Sequence, residues 1–285
     1  MLRPGAAITA AILCGCAGAT VVDAPQVKAP SIPIEIVKPE GAGPFPAVVM
    51  LHDCSGLSER SSGAPRRWAK ELVRQGYVIA IPDSFSTRGH AGGVCVDPSP
   101  SRNEVAPLRR VPDAYEALAY LRALPYVDGQ RIGVMGGSHG GSTTLATVGK
   151  FAFDPRGLAE EKRHGFAAAI ALYPGCASTN QRWAAGYQPL VPLLILAGER
   201  DDWTPAAPCV DLVEGAKRAG AQASIKVYPG AHHAFDGTSP VRFVATRVNA
   251  NAPGGRGATT GGNAEAWADS IREVSAFFAR HLGGK

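Results

Sequence analysis

Three short stretches of this chain hold residue types that can perform nucleophilic chemistry together. The first, Gly136-Gly137-Ser138-His139-Gly140-Gly141, follows the apolar run Arg131 to Met135 and opens a helical pattern. Small residues around a serine let the chain turn sharply from strand to helix. Its hydroxyl then projects from the sheet edge, beside the positive end of the helix. The second stretch, Gly198-Glu199-Arg200-Asp201-Asp202-Trp203-Thr204-Pro205, follows the run Val191 to Leu196. The third, Pro229-Gly230-Ala231-His232-His233-Ala234-Phe235, follows Ser224 to Tyr228. A serine attacks a carbonyl once an imidazole takes its proton and a carboxylate fixes the tautomer of that imidazole. Serine, acid and histidine in this order, each just beyond a strand, supply such a relay. The acid is Asp201 or Asp202, and the base is His232 or His233. A lone histidine in a loop is commonly a solvated turn residue, and a lone aspartate after a strand a cap. A nucleotide-binding turn is the competing reading of the glycines, but neither the dinucleotide fingerprint nor the P-loop spacing fits them.

The elements that must position these groups alternate along the chain. Ile32 to Val37, Ala47 to Leu51, Tyr77 to Ile81, Arg131 to Met135, Ala167 to Leu172, Val191 to Leu196 and Ser224 to Tyr228 read as strands. The second is continuously apolar and β-branched, as a strand covered on both faces should be. Helical spacing runs over Arg66 to Gln75, closed by Gly76, and over Pro112 to Leu124, Gly140 to Val148, Val210 to Ala219 and Glu265 to Leu282. This rhythm predicts an α/β fold with a mostly parallel, doubly wound sheet covered by helices on both faces. Such a sheet collects its site at the carboxyl ends of its strands. Two connections stand out: the Gly- and Pro-rich loop Ser84 to Pro107, long enough to be functional, and Pro253 to Gly262, read as a flexible surface loop.

The 285 residues carry 45% hydrophobic and 19% charged side chains, ordinary values for a globular chain with a sizeable core. The formal charge of +5 is dispersed, with no basic run interleaved with aromatics, so nucleic acid is not an expected partner. At the N-terminus, Arg3 precedes small and apolar residues from Gly5 to Ala19, the pattern of an export signal and too short for a stable span. Within it, Leu13-Cys14-Gly15-Cys16 has the form of a bacterial lipobox, with Cys16 as lipid carrier. Cleavage after Ala17-Gly18-Ala19 is the other reading. The expected organisation is a leader over 1–19, a linker over 20–30 and one domain over 31–285, placed in the periplasm, on the outer membrane or outside the cell. A lipid on Cys16 is the only membrane attachment expected.

Beyond the leader stand Cys54, Cys95, Cys176 and Cys209, an even number compatible with two disulfides in any of three connectivities in an oxidising compartment. No Cys/His cluster has metal-ligand spacing, so neither a metal nor an organic cofactor is expected.

From Ile32 to Leu282 the chain resembles the dienelactone-hydrolase-like family of the α/β-hydrolase superfamily. The matching pieces are Val48 to Gly56, Ala80-Ile81-Pro82-Asp83-Ser84-Phe85, the serine turn, Gly198 to Pro205 and Tyr228 to Phe235. The resemblance implies the α/β-hydrolase fold and hydrolysis of a small ester or lactone. It implies Asp201 as the acid, three residues after the glycine, and His233 as the base, two before the phenylalanine. It places the oxyanion between the backbone N–H groups of Cys54 and His139. Dienelactone hydrolase itself carries cysteine at the turn; Ser138 here points instead to ordinary ester cleavage. Cys54 as nucleophile is an alternative that export disfavours. The family keeps an arginine for a substrate carboxylate near Arg88, although the local spacing does not align cleanly; a solvated or backbone-bonded arginine is the other reading. Trp203, beside the acid, either lines the pocket or packs. Cys54 and Cys95 fall on loops at the carboxyl edge of early, neighbouring strands, as Cys176 and Cys209 do for later ones, so the expected pairs are Cys54–Cys95 and Cys176–Cys209. A peptidase or acyltransferase of the same fold, and a non-catalytic envelope binding protein, are the rival functions; a binding module would have no need of the complete relay.

Overall fold

The runs richest in apolar and β-branched residues assemble the sheet. In the computed structural model, which describes residues 29–150, 165–177 and 186–283, seven strands join: Ile34–Val37 (β1), Phe45–Leu51 (β2), Val78–Pro82 (β3), Val127–Gly137 (β4), Ala168–Leu172 (β5), Leu193–Gly198 (β6) and Ala223–Tyr228 (β7). Their spatial order is β1-β3-β2-β4-β5-β6-β7. β1 runs antiparallel to β3 at the edge, and every other pair is parallel. This is the mostly parallel sheet that the alternating pattern predicts.

Successive side chains on a strand face opposite ways, and the two sides of the sheet accordingly feed two cores. Val48, Met50, Ile79, Ile81 and Ile170 pack with helices Ala64–Arg74 (α1) and Ala264–Leu282 (α5). Ala47, Val49, Leu51, Val134 and Ile195 pack with Val111–Ala123 (α2), His139–Val148 (α3) and Ala207–Arg218 (α4). Local chemistry sets the helix ends. Pro65 enters α1 at its first turn, where a missing N–H costs nothing, and the Asn263 side chain caps α5 by accepting from Ala266 N at 3.0 Å.

The stretch Pro253 to Gly262 is not simply a flexible loop: Arg242–Val248 (β8) and Arg256–Thr260 (β9) form an antiparallel hairpin, so half of that stretch is strand. The pattern hides it because β8 buries little and shows no clean alternation of burial. Polar pins hold the hairpin instead. Asn249 Nδ2 donates to Asp202 O (3.0 Å) and Gly257 O (2.7 Å), while the Asp202 carboxylate accepts from Thr259 N and Thr259 Oγ1, both at 2.7 Å.

Both disulfides are formed, Cys54–Cys95 and Cys176–Cys209, one of the three pairings open to four cysteines. Neither cysteine of the second pair lies on a loop: Cys176 is helical and Cys209 lies within α4. The leader, with Cys14 and Cys16, and most of the 20–30 linker lie outside the described residues.

Candidate active site

β4 runs out at Gly137, and Ser138 takes φ 55°, ψ −116° before α3 begins at His139. A residue with a side chain enters this region at a cost of about 1–3 kcal/mol and stays only where its surroundings hold it. Here Ser138 N donates to Leu172 O of β5 at 2.9 Å. The helix also starts very close to β2: a Cβ at Gly140 would lie 2.0 Å from Leu51 O, and one at Gly136 would lie 2.5 Å from Gly140 C. Glycine at both positions is therefore a steric requirement of the turn.

The loops after β6 and β7 bring the acid and the histidine to this serine. His233 Nε2 lies 2.8 Å from Ser138 Oγ, and His233 Nδ1 lies 2.8 Å from Asp201 Oδ2. Between the adjacent candidates, the structure brings Asp201 and His233 to Ser138, while Asp202 pins the hairpin. Asp201 is held as a carboxylate should be. Its Oδ1 accepts from Trp203 N (2.9 Å) and Thr204 N (2.8 Å). Thr204 Oγ1 stands 2.9 Å from Asp201 Oδ2, from His233 Nδ1 and from Tyr173 O. The imidazole is flanked by the rings of Tyr173 and Trp203, each centred 4.8 Å from it. Its orientation is thus fixed by hydrogen bonds at both ring nitrogens and by an edge contact and a tilted contact with these two rings.

Beneath the histidine loop lies a buried acid. Asp236 accepts from Tyr173 OH and from Trp68 Nε1, both at 2.7 Å, yet burial still raises its pKa above the ordinary value. These bonds anchor the backbone three residues beyond His233.

The turn after β2 reaches the same side of the serine. Buried His52 bonds through Nδ1 to Asp53 O at 2.9 Å, while its Nε2 accepts from Ser84 N at 3.3 Å. Burial first, and the charge of Arg110 second, hold His52 well below its usual pKa, so it is neutral and Nδ1 carries the proton. The bond fixes the plane of the Asp53–Cys54 peptide, whose N–H belongs to Cys54. His139 opens α3, where the first N–H groups lack intrahelical acceptors. Behind it Arg110 Nη1 donates to His139 Nδ1 at 2.7 Å.

A pocket of about 430 Å³ opens over Ser138 and His233. Trp203 lines it, as do Arg60, Arg67, Arg242 and Arg247 against the acids Asp53 and Asp236. The Arg247 guanidinium lies 5.2 Å from the centre of the Trp203 ring, and its buried Nε has no hydrogen-bond partner among the described residues. Trp203 also donates from Nε1 to Val248 O at 2.9 Å, so it both lines the pocket and docks the hairpin. Arg88 is not brought here. Its guanidinium grips Asp113 through two bonds of 2.7 Å and donates to Ser84 O at 2.6 Å, beside a separate surface hollow.

Among the described residues, metal-type side chains cluster at Asp53, Cys54 and Cys95. The two sulfurs are spent in the disulfide, and the Asp53 carboxylate is occupied by Ser55 and Ser62. Sequence reasoning passed over Thr204, Tyr173, His52, Arg110 and Arg247. Thr204 and His52 lie inside motifs already singled out. Arg247 reaches the pocket only through the unforeseen hairpin, which left no signal for it.

Solved structures share this architecture. A Klebsiella pneumoniae protein described as a "Putative Dienelactone Hydrolase" superposes with a TM-score of 0.60 at 19% identity, over 87% of this chain and 93% of that one. The esterase Est2 of Thermogutta terrifontis gives 0.58 at 20% identity, over 88% of this chain and 87% of its own. At that identity the likeness establishes the fold. In sequence, a Yersinia pestis protein named "Putative carboxymethylenebutenolidase" is 27% identical over 216 residues, 72% of this chain and 74% of its own length. The model of the Dienelactone hydrolase family matches residues 32–282, and the chain belongs to that family.

Proposed function

We propose that this protein is a serine hydrolase that cleaves small carboxylic esters or lactones through an acyl-enzyme. The observation that carries the reading is the unbroken chain of 2.8 Å contacts from Ser138 Oγ through His233 to Asp201. His233 takes the Ser138 proton as Oγ attacks the acyl carbonyl. Asp201 fixes the Nδ1–H tautomer and stabilises the imidazolium. The N–H groups of Cys54 and His139 receive the oxyanion, where preorganised donors act most strongly. The collapsing intermediate expels the alkoxide, which takes the proton from His233; for a lactone this group stays tethered to the acyl chain. Water, deprotonated by His233, then releases the acid and restores Ser138.

The arginine-lined pocket favours a substrate with its own negative charge. Arg247, over the Trp203 ring that flanks His233, is one of the lining arginines and is positioned to meet a carboxylate. The name of the Yersinia relative, "Putative carboxymethylenebutenolidase", points the same way. The two disulfides support an extracytoplasmic location, since such bonds persist in oxidising compartments. No helix among the described residues is long and apolar enough to cross a membrane. Export by the 1–19 leader, with either Cys16 lipidation or cleavage after Ala19, completes the reading.

Ser138→Ala tests it. Turnover of p-nitrophenyl acetate should vanish while the fold persists, and full activity in the variant would reject the assignment.

A further inference from the structure

A cation is buried beside the oxyanion side of the nucleophile, and the relay does not use it. Arg110 closes the short 3-10 turn Pro107–Arg110 just before α2 and is 0% exposed. Its Nη1 donates to His139 Nδ1, and its guanidinium lies 5.0 Å from the centre of the Phe85 ring. Phe85 in turn meets His52 and His139 edge-on, with centroids 4.5 and 5.6 Å away. Nε and Nη2 of Arg110 are buried without a hydrogen-bond partner among the described residues. The acid whose charge acts on it most strongly is already engaged: both Asp113 oxygens accept from Arg88. Burial draws the pKa of Arg110 down only to about 10, so the group stays charged at neutral pH.

A buried, half-satisfied cation without a carboxylate partner costs folding free energy, and an apolar residue of similar volume is commonly as stable or more so. Stability therefore does not account for Arg110. Its neighbours do. It binds the side chain of His139 and sits in electrostatic contact with His52 and Asp53, the residues that set the Cys54 peptide. Both proposed oxyanion donors are thus backed by one fixed positive charge.

We propose that Arg110 is a positioning residue for the oxyanion step: it locks the His139 imidazole and places a permanent positive charge behind the donor N–H groups. This rests on the serine-hydrolase reading above. Negative charge appears on the carbonyl oxygen only as Oγ attacks, so a charge held in a dry, low-dielectric site stabilises the transition state more than bound substrate. The imidazole, kept neutral by burial and by Arg110, accepts through Nδ1 and carries its proton on Nε2.

The test compares wild type with Arg110→Met, Arg110→Lys, Arg110→Gln and Ser138→Ala, reading kcat and KM for p-nitrophenyl acetate together with the thermal midpoint. In R110M kcat falls about 10- to 100-fold with KM changed less than about threefold, on the scale of weakening but not deleting an oxyanion donor. The thermal midpoint is unchanged or higher, which a merely structural arginine would not give. R110K, which keeps the charge, retains more kcat than R110Q, which can keep the hydrogen bond alone. If R110M does not fold, the order of R110K over R110Q carries the test. Wild-type kcat in R110M, or equal kcat in R110K and R110Q, overturns the proposal while an inactive S138A leaves the triad standing. An active S138A overturns the reading beneath it.

Discussion

The disulfide from Cys54 to Cys95 fastens the turn that follows β2 to a loop 41 residues further along the chain. Val94 N donates to Cys54 O at 2.7 Å beside it, and Cys95 O accepts from Val248 N of the hairpin at 3.0 Å. One bridge thus joins the proposed oxyanion turn, the long loop after β3 and the strand that carries Arg247. Replacing both cysteines by serine should lower stability by about 3–4 kcal/mol, the loop-closure value for a link of this span. It should also lower kcat, because the Cys54 peptide loses its brace. Urea unfolding and steady-state kinetics on the double variant check both expectations.

Asp201→Asn should lower kcat by about 10³- to 10⁴-fold, since the amide cannot hold the Nδ1–H tautomer. Asp202→Asn should keep most of its kcat, because among the described residues that carboxylate bonds only Thr259 across the hairpin. Kinetics on the pair separate two adjacent aspartates that local sequence alone leaves equivalent.

Thr204 Oγ1, 2.9 Å from both His233 Nδ1 and Asp201 Oδ2, should act through the orientation of the imidazole. Thr204→Val keeps the shape and removes the hydroxyl, and kcat should fall about tenfold, the scale of one hydrogen bond lost in a buried network. Unaltered kcat would show that Asp201 alone suffices to orient the ring.

How much of this was legible before the structure depends on what each residue does for folding. Ala47 to Leu51 announces a buried strand because both faces are covered, and Gly136 and Gly140 announce the turn because a Cβ at either would strike backbone. Asp201 and His233 could be chosen from their neighbours only by resemblance to a family, since nothing in Asp-Asp or His-His says which side chain turns inward. The hairpin was hidden because its strands are held by Asn249 and Asp202 more than by apolar burial. Arg88 and Arg110 were equally opaque. Which arginine meets Asp113 and which is sealed behind His139 is decided by tertiary packing, and the local pattern carries no trace of it.

Arg247 should set the preference for charged esters. Arg247→Ala should raise KM about 10-fold or more for an ester bearing a carboxylate, the value of a charge-assisted bond, while a neutral ester of the same size changes little. Equal effects on both substrates would assign Arg247 to packing on Trp203.

Asp236 should give stability a pH dependence of known sign. Burial raises its pKa above the ordinary 3.8 even though Tyr173 and Trp68 donate to it. The folded state therefore holds this proton more tightly than the unfolded one. The stabilisation is complete below the ordinary value and is lost as pH rises through the raised folded value. Asp236→Asn removes that titration, although its amide can accept only one of the two bonds. The advantage of wild type over the variant should thus shrink as pH rises above the ordinary carboxylate value and through the raised folded one; thermal midpoints across that rise test this.

The whole mechanism turns on Ser138 as the nucleophile activated by His233. Peptide mass spectrometry after treatment with a fluorophosphonate reads it directly. The adduct should sit on the peptide containing Ser138 and disappear in His233→Ala. An adduct on another residue, or equal labelling of Ser138 without His233, would rule out Ser138 as a nucleophile activated by His233.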